Sequence, residues 1–238
     1  MSHLARLLAL ATLSSSLAGC GGVGLVGNGK SATQLRGAAP FKKLEISGGL
    51  HVTLTRGERT LTVTADENLI DHLDTSVRDG TLVIRLTQPV LDARSLKIAI
   101  RSNDILEAIS LSGGSGFVGP AGASARLDLE ASGGSSLEVS ELSSAIVNAN
   151  ASGASHLTLV GGAAANLAVS ASGASEVTAH GFTVEAAIIE VSGASNVCLT
   201  CTRSITGSVS GASTLTVSGS PAIAQVHSSG GSRLIKAN

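Results

Sequence analysis

Apolar and polar residues alternate along short stretches in the C-terminal half of the chain, and these stretches return at a regular distance. Residues 127–131 carry an apolar side chain at every second position, and residues 147–151 and 167–171 repeat that pattern. Residues 137–139 and 157–159 alternate in the same way. A period of two residues is typical of a β-strand with one buried face. The pattern therefore predicts two short strands in each repeat, with their apolar side chains pointing inward.

A Ser-Gly-Gly-Ser or Ser-Gly-Ala-Ser motif separates the predicted strands. Its first glycines are spaced by 20, 20, 20, 20, 18 and 19 residues. They are Gly113, Gly133, Gly153, Gly173, Gly193, Gly211 and Gly230. A constant period of this length predicts stacked coils, and parallel crossovers are overwhelmingly right-handed. We therefore predict an all-β fold, with a right-handed parallel β-helix over residues 112–238. We also expect the motif serines to hydrogen-bond to their stacked copies.

Residues 38–111 differ from the repeats because charged residues are dense among them, with nine Lys or Arg and ten Asp or Glu. Strand-like alternation continues in residues 61–64 and 82–86, and Asp79-Gly80 is a hairpin signal. Solenoids need a terminal unit with a polar outer face. We expect a β-rich N-terminal section that caps the coils.

The first residues, 1–19, resemble the signal peptide of a bacterial lipoprotein. Arg6 supplies a positive charge, and the apolar stretch of residues 7–17 has the length of a secretory signal but is too short to span a bilayer as a helix. The Leu-Ala-Gly-Cys sequence that follows is similar to a lipobox, which implies cleavage before Cys20 and a diacylglycerol on its thiol. An ordinary signal peptide with an incidental cysteine is the alternative. Gly21, where inner-membrane lipoproteins carry Asp, favours the outer membrane.

Residues 20–37 are predicted to form a Gly-rich tether with a reach of about 20–25 Å. Residues 22–27 fit the dinucleotide-binding pattern G-x-G-x-x-G, and residues 24–31 fit the Walker A string. Both motifs require a strand before them and a helix after them. A signal peptide precedes them here, and a polar stretch follows. We therefore interpret them as chance matches and predict neither a nucleotide nor another cofactor.

Composition argues against nucleic-acid binding. The formal net charge is -1, so the chain lacks the basic field that attracts phosphates. It contains three Phe but no Trp or Tyr, so platforms on which bases or sugars would stack are nearly absent. We expect no nucleic-acid partner.

Two groups of polar residues are candidates for chemistry. Glu130 and Glu190 occupy the same position of the repeat. They predict either an acidic or metal-binding stripe or a solvated outer strand face. His156 and Glu176 lie one coil apart, which places them about 4.8 Å from each other along the axis. Two ligands fall short of the four that a structural zinc site requires. We predict no catalytic residue and no metal site.

Cys198 and Cys201 form a C-x-x-C pair in an exported chain. A disulfide between them requires a turn, because an extended strand would hold the two Cα atoms beyond bridging distance. The spacing of the repeats aligns Cys201 with Gly181, at a predicted turn, which favours that disulfide. Free thiols and a redox or metal-binding role are the alternatives.

The N-terminal section also carries a family resemblance. Residues 41–49, 52–57, 61–69 and 77–84, followed by the Ser-Gly-Ala-Ser repeats, resemble the opening of the DUF2807 family. Members of that family are described as auto-transporter adhesin head GIN domains. The resemblance covers about residues 40–225. It implies a secreted, β-helical cell-envelope protein and supplies no catalytic residue to transfer. The chain departs from the family description in its lipobox, because attachment through a lipid differs from true auto-transport.

Together these observations predict a non-enzymatic, lipid-anchored cell-envelope protein with an adhesin-like or scaffolding β-helix. Its partners would be the membrane, through Cys20, and an envelope glycan or protein. A glycan- or protein-binding sensory module is one alternative, and an enzyme that acts on envelope polysaccharide is another.

Overall fold

The computed structural model describes residues 24–237 of the chain, which form eighteen β-strands and one short 3-10 helix, Ile70–His72. The strands are β1 (Leu25–Val26), β2 (Ser31–Arg36), β3 (Lys43–Ser47), β4 (His51–Thr55), β5 (Thr60–Asp66), β6 (Leu73–Arg78), β7 (Thr81–Leu86), β8 (Val90–Asp92), β9 (Leu96–Arg101), β10 (Ala108–Leu111), β11 (Gly116–Ala131), β12 (Ser136–Ala151), β13 (His156–Ala171), β14 (Glu176–Val191), β15 (Asn196–Val209), β16 (Thr214–Ser218), β17 (Ile223–Ser228) and β18 (Arg233–Ala237). Within residues 24–237, no helix has the length and apolarity needed to cross a bilayer.

The strands of successive coils stack in parallel, which confirms the predicted β-solenoid with coils of about 20 residues. Each coil contributes to two long faces. Face A consists of β7, β3, β10, residues 126–131, 146–151, 166–171, 186–191 and 204–209, and β17. Face B consists of β9, β4, residues 116–120, 136–140, 156–160, 176–179 and 196–200, β16 and β18.

The two short strands predicted for each coil are parts of one longer strand. β12, for example, runs through 16 residues from face B to face A. Its pairing with β13 continues around the corner, where Leu142 lies beside Gly162. The corner itself needs a left-handed backbone, with φ of 68° at Gly161 and 65° at Gly181. Glu141 takes the same conformation, with φ of 50°.

The core is a set of apolar columns that run along the solenoid axis. Leu127, Val147, Leu167 and Ala187 follow one another in register and are all buried. Each coil therefore covers the apolar side chains of the next, which no coil could do alone.

The last serine of each of the first six Ser-Gly motifs is buried, and two kinds of hydrogen bond occur within this set. The predicted bond between stacked copies is present where the backbone N–H of Ser175 donates to Oγ of Ser195 at 3.3 Å. The hydroxyls themselves donate within their own turns, as Ser175 does to the carbonyl of Ser172 at 2.7 Å and Ser135 to that of Ser132 at 2.7 Å. Local bonding of this kind is typical of serine, whose short side chain reaches nearby backbone groups. The serines therefore brace each turn and also connect neighbouring coils.

The N-terminal section caps the solenoid with antiparallel strands. β5 lies antiparallel to β9, β2 lies antiparallel to β5, and β6 lies antiparallel to β7. β6 follows β7 in the sheet of face A, and β5 and β2 follow β9 in the sheet of face B, so the parallel stack ends in antiparallel strands.

The structure of the cap corrects the prediction that residues 20–37 are a tether. Within residues 20–37, the segment Ser31–Arg36 is strand β2, whose residues alternate between half-buried and exposed positions. β1 also lies inside the predicted tether and pairs with β8. The Gly-rich composition concealed this alternation. The strand β2 also occupies the place where a Walker A motif would need a helix, which agrees with the interpretation of residues 24–31 as a chance match.

Candidate functional site

A shallow groove runs along face A, where several coils present polar side chains next to one another. Its volume is about 490 Å³, and it is open to solvent along its length. We call it the face A groove. Its lining residues are Ala108, Ile109, Ser110, Arg126, Asp128, Leu129, Glu130, Asn148, Asn150, Ala168, Val169, Ser170, Ile188 and Glu190. The groove crosses coils, so a ligand in it would contact several repeats at once.

Asp128 makes more side-chain hydrogen bonds than its neighbours in the groove. Its carboxylate accepts from Nε of Arg126 at 2.9 Å and from Nδ2 of Asn148 at 2.6 Å. Asn148 reaches Asp128 because β11 and β12 pair these two residues directly. The carboxylate is thereby held in a fixed position within the groove lining.

Glu130 and Glu190 stand in one column with Asn150 and Ser170, as the repeat spacing predicts. All four side chains are exposed. Ser110, one coil closer to the cap, donates its hydroxyl to Glu130 at 3.3 Å. The column offers carboxylates, an amide and hydroxyls, which can both donate and accept hydrogen bonds.

Apolar side chains complete the groove. Ile188 is 59% exposed, and Ile146 beside the groove is 40% exposed. Ala168 pairs with Ile188 on the neighbouring strand. These two isoleucines add exposed apolar surface to the polar lining of the groove.

Sequence reasoning found the Glu130 column but missed the column that holds Asp128, Asn148, Ala168 and Ile188. The same repeat arithmetic, applied two residues earlier, would have found it. The contact of Arg126 with Asp128 had no such signal, because it depends on side-chain rotamers.

His156 and Glu176 meet on face B, as their spacing predicts. Nε2 of His156 lies 3.6 Å from Oε2 of Glu176, and both side chains are more than half exposed. Among residues 24–237, no group of three or more His, Cys, Asp or Glu side chains is placed to hold a metal ion.

Cys198 and Cys201 are free thiols in the structure, which corrects the expected disulfide. Residues 196–201 stay extended, so Cys198 points outward with Thr200, while Cys201 points into the core with Leu199. The two thiols therefore lie on opposite faces of one strand. Cys201 pairs with Val184 rather than with Gly181, because the shorter coil loses its residues between Leu199 and Thr200.

The predicted lipidation site, Cys20, lies outside the described residues, as do residues 1–19. The first described residue is Gly24, whose neighbours β1 and β8 lie at the capped end of the solenoid.

One ion pair near the cap lowers the pKa of a carboxyl group. Arg59 donates Nη2 to Asp104 at 2.6 Å and Nε at 2.9 Å, and Ser102 donates its hydroxyl at 2.6 Å. The hydrogen bonds from Arg59 hold the pKa of Asp104 below its ordinary value, and the Ser102 hydroxyl acts in the same direction. The pair fixes the loop after β9 and lies outside the lining of the face A groove.

Comparison with known proteins gives a family and a fold. The family model of DUF2807, "Putative auto-transporter adhesin, head GIN domain", matches residues 40–221. No curated protein matches the chain significantly.

Several solved structures share this fold at low sequence identity. A protein from Bacteroides fragilis described as a "putative adhesin" has a TM-score of 0.82 and 20% identity, over 90% of this chain and 100% of that chain. A "putative adhesin" from Parabacteroides distasonis has a TM-score of 0.69 and 19% identity, over 90% and 99%. A "putative lipid binding protein" from the same species has a TM-score of 0.67 and 19% identity, over 89% and 99%.

Proposed function

The chain belongs to the DUF2807 family, and we propose on that premise that it is an exported, lipid-anchored, non-enzymatic protein of the cell envelope that binds glycan through the face A groove. The family description and the similar solved structures support an adhesin-like role. Cys20 would carry the lipid, and the outer membrane would be the site of attachment. The face A groove is the observation that carries the binding role.

The chemistry of the groove suits a hydroxyl-rich polymer. Glu130, Asn150, Ser170 and Glu190 form a row of exposed donors and acceptors, and each can meet a sugar hydroxyl. The row repeats at about 4.8 Å per coil, so an extended chain would meet similar groups along its length. Exposed methyl groups of Ile188 can pack on the apolar C–H face of a sugar ring.

A protein partner is the second candidate, and the groove favours it less. The residues that dominate protein–protein affinity are Trp, Tyr and Arg. The chain has no Trp or Tyr, and its three Phe, which are Phe41, Phe117 and Phe182, are buried. Arg126 is present but is already paired with Asp128.

Carboxylate placement supports a binding role rather than hydrolysis. Glu130 and Glu190 are three coil steps apart, which is about 14 Å at the usual strand spacing. Glycosidases place their two carboxyl groups about 5–9.5 Å apart. Asp128 lies nearer to Glu130, but its oxygens already accept from Arg126 and Asn148.

The anchor is tested by fractionation and by lipid labelling. Wild-type protein should enter the membrane fraction and incorporate radiolabelled palmitate, whereas Cys20→Ala should do neither. Equal membrane association of the two proteins would contradict lipid anchoring.

The binding role is tested on a glycan array with the detergent-solubilised acylated protein. Asn150→Ala combined with Glu190→Ala should abolish the signals of the wild type, because it removes groove groups without touching the core. Glu176→Ala is the control, since Glu176 is also exposed but lies on face B. A signal that both variants retain would refute the groove as the binding site.

A further inference from the structure

We propose that the ribbon of β1 and β8 docks on the membrane surface beside the lipid anchor and so sets the orientation of the solenoid. The inference rests on the lipid anchoring proposed above. The ribbon consists of Leu25–Val26 and Val90–Asp92, paired in parallel. It lies at the capped end of the molecule, where the described chain begins.

Two apolar side chains of this ribbon are exposed. Val26 is 55% exposed and Leu91 is 63% exposed. Leu91 lies against Gly24, since a Cβ on that glycine would come within 2.6 Å of the Leu91 Cγ. The register of the ribbon shifts between Leu25 and Val26, and Val26 pairs with Asp92, so Leu91 is the extra residue of a bulge next to the partner of Val26.

The ribbon is fixed to the cap rather than loosely attached. Asn68 donates Nδ2 to the carbonyl of Val26 at 2.9 Å, and the Asn68 Oδ1 accepts from the backbone N–H of Asn28 at 2.9 Å. Asp66 is fully buried and accepts from the backbone N–H of Arg94 at 2.8 Å. The ribbon therefore keeps its direction relative to the coils.

The distance to the anchor forces the ribbon close to the bilayer. Four peptide units separate Cys20 from Gly24. Each spans at most 3.8 Å between Cα atoms, so Gly24 lies within about 15 Å of Cys20 in any conformation. The lipidated residue would sit at the membrane surface. The capped end of the solenoid must then be there too, instead of at the end of a longer tether.

The chemistry around the ribbon fits a lipid surface. Apolar side chains at an interface enter the boundary between headgroups and acyl chains by about 5–10 Å. Lys30 and Arg94 are exposed beside the ribbon, and cations of this kind are attracted by anionic headgroups. Asp92 and Glu67 are also exposed there and oppose that attraction, so apolar contact and the covalent anchor supply most of the binding.

A single introduced tryptophan tests this orientation, because the chain has no Trp or Tyr of its own. Acylated Leu91→Trp and Ile188→Trp proteins are reconstituted in vesicles of phosphatidylethanolamine and phosphatidylglycerol with brominated acyl chains. The two positions are matched, at 63% and 59% exposure, but Ile188 lies in the face A groove, several coils from the cap. The bromines should quench Leu91→Trp several-fold more strongly than Ile188→Trp. Val26→Trp should repeat the result if Leu91→Trp folds poorly.

The outcomes separate this inference from the proposed anchor. Protein that floats with the vesicles but shows equal or no quenching at both positions overturns the docking of the ribbon and leaves the anchor intact. Protein that does not float overturns the anchor, and the docking with it.

Discussion

Gly173→Ala should destabilise the protein much more than Gly114→Ala, although the two glycines have the same φ. Both have φ of +78°. A Cβ at Gly173 would lie 2.5 Å from the carbonyl oxygen of Gly153 in the preceding coil. At Gly114 there is no atom within 4 Å of that position. The pair therefore separates backbone strain from the contact between coils.

The magnitudes follow from those two contributions. A left-handed conformation costs a residue with a Cβ about 1–2 kcal/mol, and both variants bear this cost. Forcing an extra carbon into packed atoms costs about 1–3 kcal/mol more, and only Gly173→Ala bears that cost, since the obstructing atom is backbone. The expected loss is therefore about 2–5 kcal/mol for Gly173→Ala and about 1–2 kcal/mol for Gly114→Ala.

Urea unfolding followed by far-ultraviolet circular dichroism measures the difference. The urea midpoint should fall in the order wild type, Gly114→Ala, Gly173→Ala. If both variants lose the same free energy of unfolding, the close approach of successive turns does not contribute to stability, and the reasoning is wrong.

Three further predictions test other parts of the molecule. Cys198 should react with maleimide in the native protein, whereas Cys201 should react only after unfolding. Equal rates in the native protein would contradict the placement of the two thiols on opposite faces of the strand. Phe182→Ala should cost about 3–5 kcal/mol in urea unfolding, because its ring is fully buried, and a loss near zero would contradict that packing. The lowered pKa of Asp104 implies stability that is present above the unfolded-state value of 3.8 and is lost as the pH falls below it. Asp104→Asn should reduce this loss between about pH 5 and pH 2, measured from urea midpoints, and an unchanged pH dependence would refute it.

The period of the repeat makes the register of the coils predictable. A fixed spacing near 20 residues aligns equivalent positions, so the spacing alone is enough to place Glu130, Asn150, Ser170 and Glu190 in one column. The shorter coil also loses its residues at a corner, as solenoids with insertions and deletions do.

Features that depend on local backbone and rotamers could not be predicted in this way. The alternation of β2 is carried by small and polar residues, so it resembles a tether. The spacing predicts a turn at Cys201 because it does not show where within the coil the residues are deleted. The Asp128–Asn148 hydrogen bond requires both the register of the coils and two specific rotamers, and the repeat spacing predicts only the register.

Docking of the ribbon on the membrane would determine where the face A groove lies relative to the bilayer. If the capped end faces the bilayer, the coils rise away from it, and the face A groove on β10 to β14 is exposed above the headgroups. An adhesin-like surface needs that access.

Carboxyl footprinting most directly tests whether the face A groove is the binding surface. The protein is labelled with a water-soluble carbodiimide and an amine, with and without polysaccharide isolated from the envelope of the producing cells. Glu130 and Glu190 in the groove are compared with Glu138 and Glu176, which are exposed on face B. We predict that polysaccharide slows labelling of Glu130 and Glu190 and leaves Glu138 and Glu176 unchanged. Slower labelling confined to Glu138 and Glu176, or the same change at all four residues, would contradict the account.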